Sequence, residues 1–245
     1  GTPYNRGRVL KVLLDRGAQP VGAIDQCHAV AIDARAPKYD GGIASRVDAV
    51  PFAVVLNKDG KRFYDEGEEF WPKRYAIWGR LVAAQPDQIA YAIIDTDAVK
   101  RFMPSVFTPI VDDTINGLAG QLDLDPESVS ATIDEFNAAC PDGPIDQMIL
   151  DGKSTTGLDI EKSNWAQTID KGPFKAFPVT GGITFTYGGL KVDKNGAVLD
   201  NYNKPIEGLY ACGELVGGVF FNGYPGGSGL TSGAVFGRIA GHGSV

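Results

Sequence analysis

Long apolar runs are missing from this sequence: nothing in it approaches the roughly 20 residues that a membrane-spanning helix needs. Residues 1–20 carry charges throughout, where a secretory leader would have an apolar stretch, so neither a span nor a leader is read. Cysteine is sparse. Cys27, Cys140 and Cys212 are an odd number with no close pair, which fits neither a disulfide framework nor a zinc site; reduced thiols, a cytoplasmic location and no metal are expected. Basic residues are outnumbered, 23 Lys and Arg against 30 Asp and Glu, for a formal charge of -7. They are also scattered, which excludes nucleic acid and an anionic membrane surface and leaves small organic ligands open. Also lacking are an internal repeat, a low-complexity tract, and any strand-loop-helix nucleotide fingerprint ahead of the first predicted helix.

What is present is enough apolar residue, 43% of 245, for one large domain or two modest ones, each with its own core. GRVLKVLLDRGAQ, from Gly7, sets Val9, Leu10, Leu13 and Leu14 at helical spacing, and Gly17 supplies a left-handed stop. FAVVL, NKDG and KRFYDE read as two strands joined at Asp59-Gly60, with Arg62 just past the turn. In DLDPESVSATIDEFNAAC, Asp125 is an N-cap, Pro126 takes the first helical position, and Val129, Ile133 and Phe136 share a face. Residues 141–175 have little periodicity and read as a long connection, ordered by packing of Trp165, and as the boundary between domains. GGLKVD, DKNG, GAVLD and GLYACGE then give strand, turn, strand and strand, with Asn195-Gly196 as a second hairpin signal. NGYPGGSGLTSGAVFGRIAG, residues 222–241, has the glycine density of a loop through which backbone N-H groups approach a ligand, followed by a helix.

GLYACGELVGG followed by YPGGSGLTSGAVFGRIAG resembles the C-terminal flavin-binding segment of the fumarate reductase and succinate dehydrogenase flavoprotein superfamily. DGKRFYDEGEEF with RYAIWGR, and FPVTGGITFTYGGLKVD, are most similar to its tricarballylate dehydrogenase-like members. The likeness runs over most of the chain in the family's order and spacing, which makes it specific where a lone glycine cluster would be weak. It implies an α+β capping (substrate) domain over residues 22–175, flanked by segments 1–21 and 176–245 of an α/β FAD-binding domain. In the family a Rossmann-type unit precedes this stretch, so the sequence is read as the back part of a larger flavoprotein. FAD is then the cofactor of the intact protein and is not expected to be held fully by this chain alone. The implied activity is FAD-dependent oxidation or reduction of a carbon-carbon bond beside a carboxylate, tricarballylate-like first and 3-ketosteroid-like second. The substrate is a small carboxylate or ketone; an N-terminal FAD-binding chain and an electron-transfer partner are the protein partners. The rival reading is an inactive domain or binding subunit that needs such an N-terminal chain.

The resemblance also assigns residues. Glu214 would accept hydrogen bonds from FAD ribityl hydroxyls, the alternative being a solvated carboxylate at a strand end. Gly188, Gly189, Gly226, Gly227, Ser228, Gly229, Leu230 and Thr231 would bring backbone and a helix's positive end to the flavin, or serve close helix-strand packing. Arg62 matches the family's proton donor or acceptor, a role that needs a buried site and a relay because free guanidinium is a poor acid; otherwise it is a hairpin arginine. The family's upstream Glu and Arg of that relay have no pair in register in GGIASRVDAVPF. His28, one of two histidines, falls where the family binds a substrate carboxylate. Fumarate reductases carry a histidine pair and an arginine where this sequence has Thr184, Phe185 and Tyr224. With Tyr187 and Arg74, these imply a pocket that disfavours succinate and fumarate, in which Tyr224 polarises a ketone as in the 3-ketosteroid dehydrogenases. Gly7-Arg8-Val9 stands where the family has Gly-Asp-Gly.

Overall fold

The computed structural model describes residues 1–40 and 42–244. The chain divides into two compact units, Val30–Gly182 and Gly1–Ala29 together with the chain from Ile183 onward. The central excursion expected over 22–175 thus begins and ends later in sequence. Its limits fall inside two strands, β2 (Cys27–Asp33) and β6 (Phe174–Thr186), where composition gives no boundary signal.

Val30–Gly182 is built on a mainly antiparallel sheet in which β3 (Val54–Asn57) and β4 (Ile89–Ile94) complete the order β2-β6-β4-β3, and β5 (Ile110–Asp112) also pairs β6. Alternation along the strands sends Val55, Ala92 and Phe177 to one face, where they pack with Ile77, Trp78 and Val82 around α2 (Trp71–Arg74) and α3 (Trp78–Ala83). Val54, Leu56, Ile93 and Ala176 face the other way, onto α4 (Ile115–Gln121) and α5 (Pro126–Ala139). The helix α5 starts as expected, with the Asp125 carboxylate accepting the Ser128 N-H at 3.2 Å and Pro126 in the first turn.

The hairpin expected at residues 52–66 forms only at its turn. Gly60 has φ 70° and the Asn57 N-H donates to the Lys61 carbonyl at 2.9 Å, but the return leg makes a single bridge, Leu56 to Arg62. The reason is Glu66, whose side chain accepts the Val55 N-H at 3.0 Å and so takes a ladder position that a second strand would have used. Residues 141–173 contain no helix or strand. As expected, Trp165 orders them: it is 3% exposed, and its indole N-H donates to the carbonyls of Asp146 and Ile149, each at 3.0 Å. Lys162 is a second anchor, 2% exposed with its ammonium donating to the Ala53 carbonyl at 2.9 Å.

In the other unit, α1 (Arg8–Asp15) opens after Gly7 at φ 66° and stops at Gly17 with φ 95°. It buries Leu10, Leu13 and Leu14 against Ala18, Leu190, Val198 and Val216, while Val9 stays 65% exposed. β1 (Pro20–Val21) pairs β7 (Gly189–Leu190), and β8 (Ala197–Leu199) pairs β9 (Pro205–Tyr210). Gly196, at φ 79°, makes the expected turn. The 16-residue helix α6 (Ser228–Gly243) follows the glycine loop. Among the described residues no helix is long and apolar enough to cross a membrane.

Burial pushes the Lys162 amine down to about 8, against the pull of Glu66, and pushes the Cys140 thiol up to about 11. Between pH 8 and 10.5 the unfolded chain therefore holds more protons at Lys162 than the folded one, so this group adds stability as pH rises across that window. Cys140 acts in the opposite sense above pH 9, where the folded chain keeps its proton. The expected result is a thermal midpoint that climbs between about pH 8 and 9 and a visibly flatter curve for Lys162→Met; parallel curves for the two proteins would refute the assignment.

Candidate functional site

β2 carries His28, which is 3% exposed. Its Nδ1 is hydrogen-bonded to the Thr184 hydroxyl, which also donates to the His28 carbonyl at 3.3 Å. A hydroxyl has one proton, so with that proton on the carbonyl the ring nitrogen facing Thr184 is the protonated one. The imidazole stacks on Tyr224, with ring centroids 4.1 Å apart and planes at 26°. Around Tyr224 stand Phe220 at 4.6 Å, Phe185 at 5.6 Å and Tyr187 at 6.2 Å. The structure therefore gathers His28, Thr184, Phe185, Tyr187 and Tyr224 into one cluster, in which Thr184 orients the histidine. Phe220 belongs with them and was missed; its signal in the sequence is the Phe220-Phe221 pair just before NGYP.

The cluster abuts the first turn of α6. A Cβ built on Gly229 would lie 3.0 Å from the Tyr224 hydroxyl and 3.4 Å from the Phe185 ring, so this glycine makes room for the phenol. Gly227 has φ 84° and caps α6 without a side-chain hydrogen bond, and the space where its Cβ would stand is open. The N-H groups of that first turn, beside Gly226, Ser228 and an 85% exposed Leu230, form a positive end suited to an electron-rich ligand edge. The Thr231 hydroxyl bonds back along its own helix, donating to the Gly227 carbonyl at 3.1 Å.

Glu214 is not at a strand end: β9 stops at Tyr210, and Glu214 sits in a 3₁₀ turn, Gly213–Leu215. Its carboxylate accepts the Thr186 N-H at 2.7 Å, the Thr186 hydroxyl at 2.9 Å and the Asn5 side-chain amide at 3.0 Å. It lines a cavity of about 370 Å³ together with residues 4–10, Thr186 and Gly188. This stretch includes Gly7 and Arg8, so the departure from Gly-Asp-Gly falls in the wall of the same cavity. A fixed carboxylate with spare acceptor capacity, facing a roomy cavity, fits the hydroxyl-bearing chain of a flavin nucleotide. Gly189 does not face it. A Cβ there would be 2.4 Å from the Leu215 carbonyl oxygen, so this glycine permits close backbone packing.

Arg62 and Arg74, the two arginines that the resemblance assigns, lie in Val30–Gly182 and form separate pairs. Arg62 is engaged on every nitrogen: Nε and Nη2 donate to Glu66 at 3.1 and 2.6 Å, and Nη1 donates to the Ile160 carbonyl at 2.5 Å. The side chain is 7% exposed and its Cζ is 5.2 Å from the Phe136 ring centroid. Burial pushes this guanidinium's pKa down, but the Glu66 carboxylate outweighs it and the net shift is upward. Arg74 donates to Glu68 at 2.8 and 3.0 Å, and the Tyr64 hydroxyl shares that carboxylate at 2.8 Å. The described part of GGIASRVDAVPF, which excludes Gly41, does hold a cation and a carboxylate: Arg46 donates to Asp48 at 2.5 and 2.9 Å, and Asp48 also accepts the Trp71 indole N-H at 2.5 Å.

Residues 28–230 match the family model of the FAD binding domain, FAD_binding_2. The chain belongs to this family. It stands within the fumarate reductase and succinate dehydrogenase flavoprotein superfamily, whose named members here are fumarate reductases, and FAD is the cofactor that the matched family binds. It is 30% identical over 194 residues to the probable fumarate reductase Ifc3 of Shewanella frigidimarina (strain NCIMB 400), covering 77% of this chain and 30% of that protein. It is 26% identical over 259 residues to 4-oxocyclohexanecarboxylate 2-dehydrogenase of Sinomonas cyclohexanicum, covering 98% and 45%. The crystal structure of 3-ketosteroid delta1-dehydrogenase from Sterolibacterium denitrificans superposes with a TM-score of 0.69 at 25% identity, over 99% of this chain and 47% of that one. The chain thus spans less than half the length of these relatives.

The contact between Gly229 and Tyr224 can be tested by a double-mutant cycle. Gly229→Ala gains up to ~1 kcal/mol of helix propensity and loses ~1–3 kcal/mol to overpacking against the phenol, so net destabilisation is expected. In a Tyr224→Phe background, which removes the nearest atom, the loss should shrink; additive midpoints in urea unfolding would show that the two residues do not meet.

Proposed function

We propose that the chain serves FAD-dependent oxidation or reduction of a carbon-carbon bond next to a carbonyl, on a ring substrate that carries a ketone. In this reading Val30–Gly182 is the capping, substrate domain, and the other unit contacts the flavin through Glu214, Gly188 and the loop from Gly226 to Thr231. The observation that carries it is the aromatic cluster around Tyr224, in which a phenol and an imidazole stand among three further rings. At the positions where the resemblance places a histidine pair and an arginine, Thr184, Phe185 and Tyr224 carry no cation for a second carboxylate, and a desolvated, unpaired carboxylate is costly. A ketone needs only a hydrogen-bond donor, and rings suit an aromatic wall. The names of two relatives, a dehydrogenase of 4-oxocyclohexanecarboxylate and one of 3-ketosteroids, point the same way.

When bound, FAD supplies hydride acceptance or donation. The chain's own residues supply placement and proton control. Tyr224 donates its O-H to the ketone oxygen and thereby stabilises negative charge that develops there. His28 holds the phenol by stacking, and Thr184 fixes the imidazole in turn. Arg62 is assigned to the framework, because each of its nitrogens already has an acceptor and its charge is stabilised by Glu66. The tricarballylate-like reading is kept second, supported by His28 as a cation for one carboxylate.

The test is anaerobic mixing of the intact, flavin-loaded flavoprotein that contains this chain with 4-oxocyclohexanecarboxylate, a 3-ketosteroid, tricarballylate and succinate, following bleaching of the flavin absorbance. Ring ketones should bleach it, and Tyr224→Phe should slow bleaching by roughly 10²- to 10⁴-fold with flavin content unchanged. Bleaching by succinate or tricarballylate that matches every ring ketone would overturn the assignment.

A further inference from the structure

Val30–Gly182 contains a cavity of about 290 Å³ that none of the assignments above uses. Its walls are aromatic: Phe52 and Phe70 tilt against Trp165 with centroids 6.1 and 6.0 Å away. Met103 and Met148, 69% and 77% exposed, stand at its edge. Two arginines reach it, and they differ in kind. Arg46 is neutralised by Asp48 through two hydrogen bonds. Arg101 has no carboxylate, and its buried Nε has no hydrogen-bond partner among the described residues. Its backbone is fixed, the N-H donating to the Ala98 carbonyl at 3.0 Å.

Buried donors in folded proteins are nearly always satisfied, and a guanidinium drawn off solvent calls for an anion with it. A guanidinium fork matches a carboxylate in shape, and rings beside it supply stacking area without a competing charge. We propose that this cavity is a binding site for a small ring-bearing monocarboxylate, its carboxylate on Arg101 and its ring against Trp165, Phe52 and Phe70. A dianion is disfavoured, because the only other guanidinium lining the cavity, Arg46, is already paired with Asp48. The proposal does not rest on the ketone reading of the Tyr224 cluster.

Phenylacetate is the probe, titrated into the full chain by calorimetry and followed by Trp165 fluorescence. Benzyl alcohol lacks the charge and acetate lacks the ring. Saturable binding of phenylacetate is expected, with benzyl alcohol weaker by about 10- to 100-fold, the worth of a charge-assisted hydrogen bond, and acetate weaker by about the same factor through loss of the buried ring. Arg101→Gln should weaken phenylacetate by the same factor and leave benzyl alcohol unchanged, while Arg101→Lys should recover part of the loss. Tyr224→Phe should leave the affinity unaltered, which separates this site from the aromatic cluster of the other unit. Benzyl alcohol binding as tightly as phenylacetate would overturn the proposal with no variant needed, and so would loss of binding in Tyr224→Phe.

Discussion

The buried carboxylate of Glu66 is the interaction on which Val30–Gly182 depends. One of its oxygens accepts a backbone N-H of β3 and, like the other, a nitrogen of Arg62. Arg62 in turn holds the carbonyl of Ile160, and two residues on Lys162 reaches back to Ala53. The strand, the turn after it and the long irregular connection are thereby tied to one fully buried charge. Removing one member of such a pair leaves the other uncompensated, which typically costs 3–5 kcal/mol, whereas an exposed pair is worth little. The sheet needs this arrangement because residues 141–173 form no ladder of their own. Their order is borrowed from side chains that reach into a charged centre already in place.

The same centre explains where reading the sequence succeeded and where it stopped. Local chemistry was legible: the Asp125 cap, Pro126, the Gly17 stop and the Asn195-Gly196 turn all act within a few residues of themselves. The hairpin's second strand was not, since its loss is caused by a carboxylate eleven positions from the N-H it accepts, inside another run of structure. The helix α1 was placed well, but the side on which Val9 falls depends on what lies around it. Strand pairing of β3 with β4 is likewise a long-range fact that no periodicity reports.

Site residues divide in the same way. Those carried by a resemblance in sequence order, His28, Thr184, Phe185, Tyr187 and Tyr224, come together in space, though a resemblance could not say that Thr184 serves the histidine. Phe220 and Arg101 had no motif to announce them. Arg62 is the reverse case: its flanking residues match a pattern, while its environment holds it charged with an acceptor on each nitrogen. A motif fixes which residue is present, and only its partners fix whether its proton is available.

Gly22, Gly189 and Gly217 come from three distant places in the sequence and meet backbone to backbone. A methyl group on any of them would fall 2.3 to 2.4 Å from a carbonyl oxygen of a neighbouring segment. Gly22 adds a φ of 88° that other residues rarely adopt. The crossing is therefore closed to gradual change. Since Gly189 and Gly217 are blocked by each other's main chain and Gly22 by that of Tyr187 and Gly218, a neighbour cannot yield as a side chain would, and no single replacement opens a route to a second. Drift in descendants of this sequence must pass around the knot, through the side chains that surround it.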